Sequence, residues 1–397
     1  MQYPQYVAEI IDRLEAQGFE AYIVGGSVRD TVMGREPNDY DVATSALPDE
    51  TLEVFRDMRT IPTGIKHGTI TVISEGHPIE ITTFRIDGEY KDSRRPESVS
   101  FTTRITEDLS RRDFTVNAMA YNKRRGLVDP FSGIEDISKK SIKAVGDAQK
   151  RFSEDALRIM RAFRFSAQLG FDIDAKTLSA AIDLRDDLSQ IARERITAEF
   201  LKLISSNFPE KPLKIMRETE IMPFIFKGYL PSNELIEAMC RAERSEKIRL
   251  AILLSQASDD QKASILSDLR LSTKLSSNIL LISKKSAVAL SGDDVCARRL
   301  IGGSGELLED VLSAADTLGN LDKEFEKKVR ENLLKKPCTQ TSELAINGSD
   351  LVKLGIRGHA IGETLKKLLD EVIATPSAND KKILLHIAAD LNNIKKE

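Results

Sequence analysis

"AYIVGGSVRDTVMGREPNDYDVATSA", residues 21–46, decides how the chain begins to fold. The apolar run Ala21 to Val24 enters Gly25-Gly26-Ser27, which reads as a strand that turns tightly and opens a helix over "SVRDTVMG". Such a turn lets the backbone come close to an anion and aims unpaired N–H groups and the positive helix end at it. Arg29, a little further in, adds charge-assisted donors. No Gly-Lys-Ser/Thr follows, so this is not a P-loop, and the third glycine of a dinucleotide fingerprint is absent. A plain tight turn is an equally good reading of the glycines alone. The second strand, "DYDVAT", carries Asp39 and Asp41 on either side of Tyr40. Residues i and i+2 of a strand share a face. The two carboxylates are therefore expected to crowd each other and to suit a hard cation such as Mg²⁺. A solvent-facing strand end is the plainer alternative. Cradle and carboxylates together describe equipment for phosphoryl or nucleotidyl transfer.

Working outward, a helix-period stretch at 5–17 precedes this unit and "PDETLEVFRDM" follows it as a helix. "GTITVIS" and "PIEITTF" read as a hairpin with a turn containing Gly76 and Pro78. Glu80, in the second of these strands, is either a third carboxylate beside Asp39 and Asp41 or an ordinary surface residue. Residues 86–99, "IDGEYKDSRRPESV", are polar and read as a long functional loop. From about residue 150 strand signals almost vanish. "SEDALRIMRAFRFSAQL", "RERITAEFLKLISS", "NELIEAMCRAERSEKIRLAILLSQ" and "GETLKKLLDEVIA" all show helical spacing with caps and stops. The expected class is α+β: a head with a small mixed sheet, then an all-helical remainder.

Composition excludes several functions. No run approaches the ~18 apolar residues of a membrane span, and the N-terminus lacks the apolar core of a signal peptide. Cys240, Cys296 and Cys338 are too far apart for a disulfide framework or a zinc site, so a reducing cytoplasm is expected. Net charge is −4, yet residues 101–164 hold 14 Lys/Arg against 9 Asp/Glu. An acidic protein with a basic segment of that kind can still hold a phosphate backbone in one groove.

Two motifs lie in that segment. "RRDFTVNAMAY" (111–121) sets Arg111, Arg112 and Asp113 before an apolar run. "EDALRIMRAFRF" (154–165) repeats arginine at 158, 161 and 164, with Asp155 three residues before Arg158. On a helix, +3 steps drift slowly round the axis and give a cationic stripe that begins with an i,i+3 ion pair. A solvated amphipathic helix has the same pattern.

Taken in order, "GGSVRD", "DYD", "RRDFTVNAMAY", "DPFSGIEDI", "EDALRIMRAFRF" and "RERITAEF" resemble the motif set of class II tRNA nucleotidyltransferases. These are the bacterial CCA-adding enzymes of the poly(A) polymerase-like branch. The likeness is dense over 20–200 and thinner to "ELAINGSDLVKLGI" (343–356). It implies a head at 1–145, a neck at 146–205, a body at 206–320 and a tail at 321–397. It implies that Gly26 and Arg29 contact an incoming triphosphate and that Asp39 and Asp41 bind Mg²⁺. Arg112, Arg161 and Arg164 are implied to hold the nucleotide, and Asp155 with Arg158 to read its base. Chemistry agrees with the last assignment: cytosine and adenine each show an amine donor beside a ring-nitrogen acceptor, and guanine and uracil show the reverse. A carboxylate beside a guanidinium matches the first order and opposes the second.

The implied partners are the tRNA 3′ end, ATP and CTP, with no membrane; a homodimer is compatible with the sequence. CC-adding relatives are implied to lack the loop at 86–99, so its presence favours CCA addition and leaves A-adding or poly(A) activity as alternatives. An inactive tRNA-binding protein is disfavoured by the intact Asp39 and Asp41. A glycosyltransferase with an Asp-x-Asp metal site leaves the arginine stripe unexplained.

Overall fold

The computed structural model describes residues 1–88 and 99–392; residues 89–98 of the expected loop lie outside that range. The chain divides into two compact units, 1–230 with 268–270, and 231–267 with 271–397.

The first unit is built on a sheet that, among the described residues, has seven strands in the order β3-β4-β5-β2-β1-β8-β9. These are β1 (Ala21–Val24), β2 (Asp41–Thr44), β3 (Thr60–Gly64), β4 (Thr69–Ser74), β5 (His77–Thr83), β8 (Ala120–Asn122) and β9 (Gly126–Val128). Arg85–Asp87 and Val99–Phe101 form a separate pair, β6 and β7. Only β2 and β5 run parallel within the large sheet. β1 is buried along its whole length and sits between β2 and β8, which is why its sequence is unbroken by polar residues. β4 alternates, with Ile70, Val72 and Ser74 inward. Helix α1 (Gln5–Ala16) covers this core with Val7, Ile10, Ile11 and Leu14, a helical stripe. Next come α2 (Gly26–Val32), α3 (Pro48–Val54), α4 (Ile105–Ser110) and α5 (Gly133–Ser138).

Two details of the expected head change. The β4–β5 turn is Glu75-Gly76 alone, both at positive φ, as a two-residue hairpin with right-handed strand twist requires. Pro78 lies inside β5, opposite Ile73, at a point where β2 does not reach, so its missing N–H costs no ladder bond on that side. "RRDFTVNAMAY" does not precede a helix: a short 3₁₀ turn at Thr115–Asn117 leads into β8.

Past residue 140 the first unit adds helices. The parallel two-residue strands β10 (Ser141–Ile142) and β11 (Asp172–Ile173) frame α6 (Ala148–Glu154) and α7 (Leu157–Leu169). After them come α8 (Ala175–Asp183), α9 (Arg193–Ile204), α10 (Glu210–Glu218) and α11 (Pro223–Phe226). The expected single helix over 153–169 is broken at Asp155, whose backbone is extended at φ −148° and ψ 101°. Its carboxylate accepts from the Leu157 N–H at 3.1 Å, so one unpaired donor at the start of α7 is satisfied. α7 buries Leu157, Ile159, Met160, Phe163 and Leu169, and packs on α9 and α10.

The second unit is helical throughout its described residues, from α12 (Asn233–Arg241) and α13 (Glu246–Leu253) to α21 (Lys381–Leu391). The stretch read as one helix from 233 is interrupted at 242–245. Here a buried arginine replaces a cap: Arg298 donates to the Ile373 and Ala374 carbonyls at the end of a long helix and to Asn332 Oδ1 at 3.1 Å. No helix among the described residues is long and apolar enough to cross a membrane.

Phe163 is fully buried in the helix that carries Arg158, Arg161 and Arg164. Phe163→Ala is expected to cost about 3–5 kcal/mol, measured by denaturant unfolding. A loss below about 1 kcal/mol would show that α7 is not locked by its apolar face.

Candidate nucleotide site

The end of β1, the start of α2, the approach to β2, the loop after α4, the start of α7 and the start of α9 meet at one cleft of about 510 Å³. Gly25 turns the chain at φ 72° and ψ −127°. A Cβ there would stand 3.1 Å from Arg112 Nη1, so the glycine is what lets that guanidinium lie over the turn. Gly26, Arg29, Asp39, Asp41, Arg112, Asp155, Arg158, Arg161 and Arg164 all line the cleft. Glu80 does not: it is paired in register with Asp41 across β2 and β5 but stands outside the lining.

Each arginine is held by protein acceptors. Arg29 donates to Asp30 Oδ1 at 2.9 Å and to Asn117 Oδ1 at 2.7 Å. Arg111 and Arg112 share the buried carboxylate of Asp108. Burial alone would raise Asp108, but the charges of Arg111 and Arg112 outweigh it and keep the carboxyl below its ordinary range. Arg112 Nε is buried and finds no acceptor among the described residues. Its Nη1, the atom over the glycine turn, is the donor placed for an anionic guest.

Arg161 donates through Nε and Nη2 to Asp113 Oδ2, at 2.8 and 2.5 Å. Asp113 also accepts from Asn117 Nδ2 and the Phe114 N–H. Burial opposes ionisation there, yet Arg161 and these donors bring Asp113 down to about 2. Arg164 pairs with Glu199, reaches Gln168 Oε1 at 2.8 Å and lies 3.8 Å above the Phe165 ring. Arg29 and Arg161 approach the same ring at 5.5 and 5.3 Å. Phe165 therefore gathers three guanidinium groups around one aromatic surface.

The expected stripe is present as three arginines on one cleft, but it is not a solvated face: Arg158 and Arg164 are buried. Its opening ion pair is corrected. Arg158 binds Glu154 Oε2 at 2.8 Å, the Arg151 carbonyl at 3.0 Å and the Arg111 carbonyl at 3.1 Å. Asp155 binds Arg195 instead, with Nη2 2.8 Å from Oδ2. The helix break at Asp155 removes the i,i+3 geometry on which the pairing rested.

The two aspartates also differ from expectation. β2 begins at Asp41, so Asp39 approaches from irregular chain rather than from a shared strand face. Both still reach the cleft. Asp41 opens to it with protein packed on its other sides; that burial first, then Asp39 and Glu80, raise its carboxyl to about 6, with Arg112 pulling the other way. A carboxylate crowded by like charge is suited to a divalent cation, and Asp39 with Asp41 would hold it. Among the described residues no three His, Cys, Asp or Glu side chains form a closed metal cluster, which leaves Glu80 beside the pair rather than in it.

Asp108, Asp113, Asn117, Arg195 and Glu199 were not singled out from sequence. Arg195 and Glu199 stand i,i+4 on α9 and read as a local ion pair; instead each reaches across to the α7 region. Asp113 lay inside a motif already quoted, with no local signal that its partner was 48 residues away.

Comparison with known proteins agrees with this geometry. The poly(A) polymerase head-domain model matches residues 21–143. A model for an RNA- and SrmB-binding site of polymerase A matches 170–231, and a tRNA nucleotidyltransferase second-domain model matches 241–388. The CCA-adding enzyme of Leuconostoc mesenteroides is 37% identical over 396 residues, covering 97% of this chain and 96% of its own. That of Limosilactobacillus fermentum is 38% identical over 393 residues, with 96% of each chain covered. The crystal structure of the Bacillus stearothermophilus CCA-adding enzyme in complex with CTP superposes with a TM-score of 0.83 at 30% identity, over 99% of this chain and 98% of that one. A CCA-adding enzyme complex with ATP, 23% identical with a TM-score of 0.73 and covering 100% and 96%, shares the fold.

The raised Asp41 sets a pH signature. Its folded value near 6 exceeds the ordinary 3.8, so the folded state keeps a proton that the unfolded chain releases. Without divalent cation, the stability that Asp41 contributes is full below about pH 4 and is lost as pH rises through about 6. Asp41→Asn should melt higher than the parent protein above pH 6 and converge with it near pH 4. Added Mg²⁺ should raise the parent's Tm above pH 6 and leave the variant's unmoved. A pH-independent difference in Tm between the two would contradict the crowding of Asp41.

Proposed function

The chain belongs to the family of CCA-adding enzymes, and from that premise we propose that it adds C, C and A in turn to the tRNA 3′ end. It takes CTP and ATP, releases pyrophosphate and uses no nucleic-acid template. The observation that carries the reading is that Asp39 and Asp41 share one cleft with Arg112, Arg158, Arg161 and Arg164. A polyanionic substrate with a reacting phosphorus needs cationic donors along its length and oxygen ligands for a divalent ion at one end.

The triphosphate lies against the Gly25-Gly26 turn, where Arg29 and Arg112, whose Nη1 lies over the turn, supply charge-assisted hydrogen bonds. Arg161 and Arg164 hold the nucleotide from the α7 side. Mg²⁺ bound by Asp39 and Asp41 would offset charge at the α-phosphate and make the primer 3′-OH a better nucleophile. The hydroxyl attacks in line and pyrophosphate departs, with no covalent protein adduct. Asp155 and Arg158 read the base edge as acceptor and donor. Residues 1–145 act as head and 146–205 as neck, with the tRNA carried by a body at 206–320 and a tail at 321–397. The site of action is the cytoplasm, in keeping with three widely spaced cysteines.

Product analysis on three tRNA primers, ending before the first C, after one C and after both, tests the reading. Each should be completed to CCA with CTP and ATP. Completion of the last primer alone would instead identify an A-adding enzyme. Asp39→Ala or Asp41→Ala should lower addition by at least ~10³-fold, the scale of losing the metal's contribution, while tRNA affinity stays within about twofold. Turnover retained in both variants would reject the carboxylate assignment.

A further inference from the structure

Asp155 and Arg158 are held by different partners, and the partner of Asp155 comes from another helix. Asp155 sits on the extended break between α6 and α7, where the Leu157 N–H holds one carboxylate oxygen and leaves the other to a partner from outside these helices. Arg195, on α9, grips it with both terminal nitrogens: Nη2 to Oδ2 at 2.8 Å and Nη1 to Oδ1 at 3.4 Å. The Leu157 N–H takes a further lone pair of Oδ1. α9 is itself anchored beside this grip. Arg193 donates to the Phe224 and Ile225 carbonyls at 2.6 and 3.0 Å and pairs with Asp268 at 2.5 Å.

We propose that Arg195 is a positioning residue for base selection, which orients the Asp155 carboxylate so that its remaining lone pairs meet the amine of cytosine or adenine. This rests on the reading of Asp155 as the acceptor of the base-reading pair. A two-oxygen acid on a single-residue hinge can rotate to follow either edge of a base, and then discriminates poorly. A planar guanidinium fork removes that freedom, because both oxygens must stay in its plane to keep both bonds. Arg158 is fixed separately by Glu154 and two carbonyls, so the donor half of the code does not depend on Arg195. Loss of the α9 grip therefore blurs the acceptor half alone. A lysine at 195 keeps the charge but not the fork, and restores only part of the selection.

The test compares kcat/KM for CTP and UTP on a primer ending before the first C, and for ATP and GTP on one ending in CC. Arg195→Ala should reduce both ratios by about 10- to 100-fold, the loss expected of a charge-assisted hydrogen bond, and Arg195→Lys should fall between. Arg193→Ala serves as the control on the same helix: it should lower Tm and leave both ratios unchanged. Should Arg195→Ala not fold, Arg195→Lys gives the same readout. Unchanged ratios in the Arg195 variants, or an equal fall in Arg193→Ala, would overturn the inference. Asp155→Ala, assayed alongside, separates the two ideas. If it collapses the ratios and the Arg195 variants do not, Arg195 alone loses its role; if it leaves them intact, the base-reader assignment falls first.

Discussion

The site depends on counter-charge. Among the described residues seven arginines line one cleft, Arg29, Arg111, Arg112, Arg158, Arg161, Arg164 and Arg195. Guanidinium groups that crowded would repel one another and lose hydration unless carboxylates accompanied them. The fold supplies those carboxylates from behind: Asp30, Asp108, Asp113, Glu154, Asp155 and Glu199. Removing one member of such a buried pair typically costs about 3–5 kcal/mol, because the other is left uncompensated. Each arginine is thus fixed by at least one protein acceptor while its guanidinium lines the cleft. The result is a preorganised donor set, which needs no reorganisation when phosphate arrives.

The same pairs tie the elements together. Asp113 follows the loop after α4, and its partner Arg161 is on α7; Glu199 is on α9 and binds Arg164. Asn117 accepts from Arg29 on α2 and donates to Asp113. A continuous polar chain therefore runs from the first βα turn through the 3₁₀ turn to α7 and α9. Apolar packing of Phe165 against Phe114, at 5.8 Å between rings, runs beside it. The glycine turn and the arginine helix, 130 residues apart in sequence, are held in one frame by side chains that also serve the ligand.

What the sequence revealed follows from the range of the forces involved. The strand–turn–helix at 21–32, the β4–β5 alternation and the apolar stripes of α1, α7 and α9 are local patterns, and each was readable. Gly26, Arg29, Asp39, Asp41, Arg112, Asp155, Arg158, Arg161 and Arg164 also lie in motifs dense enough to read, whereas nothing local singles out Asn117 and Arg195, and Glu80 stands outside the cleft. The three-residue strands β8 and β9 are too short to alternate visibly and exist because β1 offers an edge. The break at Asp155 was missed because "SEDALRIMRAF" has good helix formers throughout; a long-range partner, Arg195, competes for the side chain there. Partner choice was the least readable feature. Spacing proposed Asp155 with Arg158, and an i,i+4 rule would have proposed Arg195 with Glu199, but tertiary packing offered each a better-placed acceptor or donor.

Two aspartates in the cleft show how one residue type is put to opposite uses. Asp113 faces Arg161, Asn117 and a backbone N–H, and is held near 2. Asp41 faces Glu80 on the adjacent strand and Asp39 in the irregular chain before β2, and is pushed to about 6. The difference is not burial, which raises both; it is the sign of the neighbours. Asp113 is saturated with donors and so can only organise arginine. Among the described residues no donor is hydrogen-bonded to the Asp41 carboxylate, and a group in that condition binds a cation in competition with protons. The cleft is polarised as a consequence, with guanidinium groups along the α7 side and unsatisfied carboxylate oxygens at the mouth of β2. On the proposed reading a nucleoside triphosphate would lie with its charged tail on the glycine turn, Arg29 and Arg112 and its first phosphorus toward the aspartates, the orientation that in-line attack by an incoming hydroxyl requires.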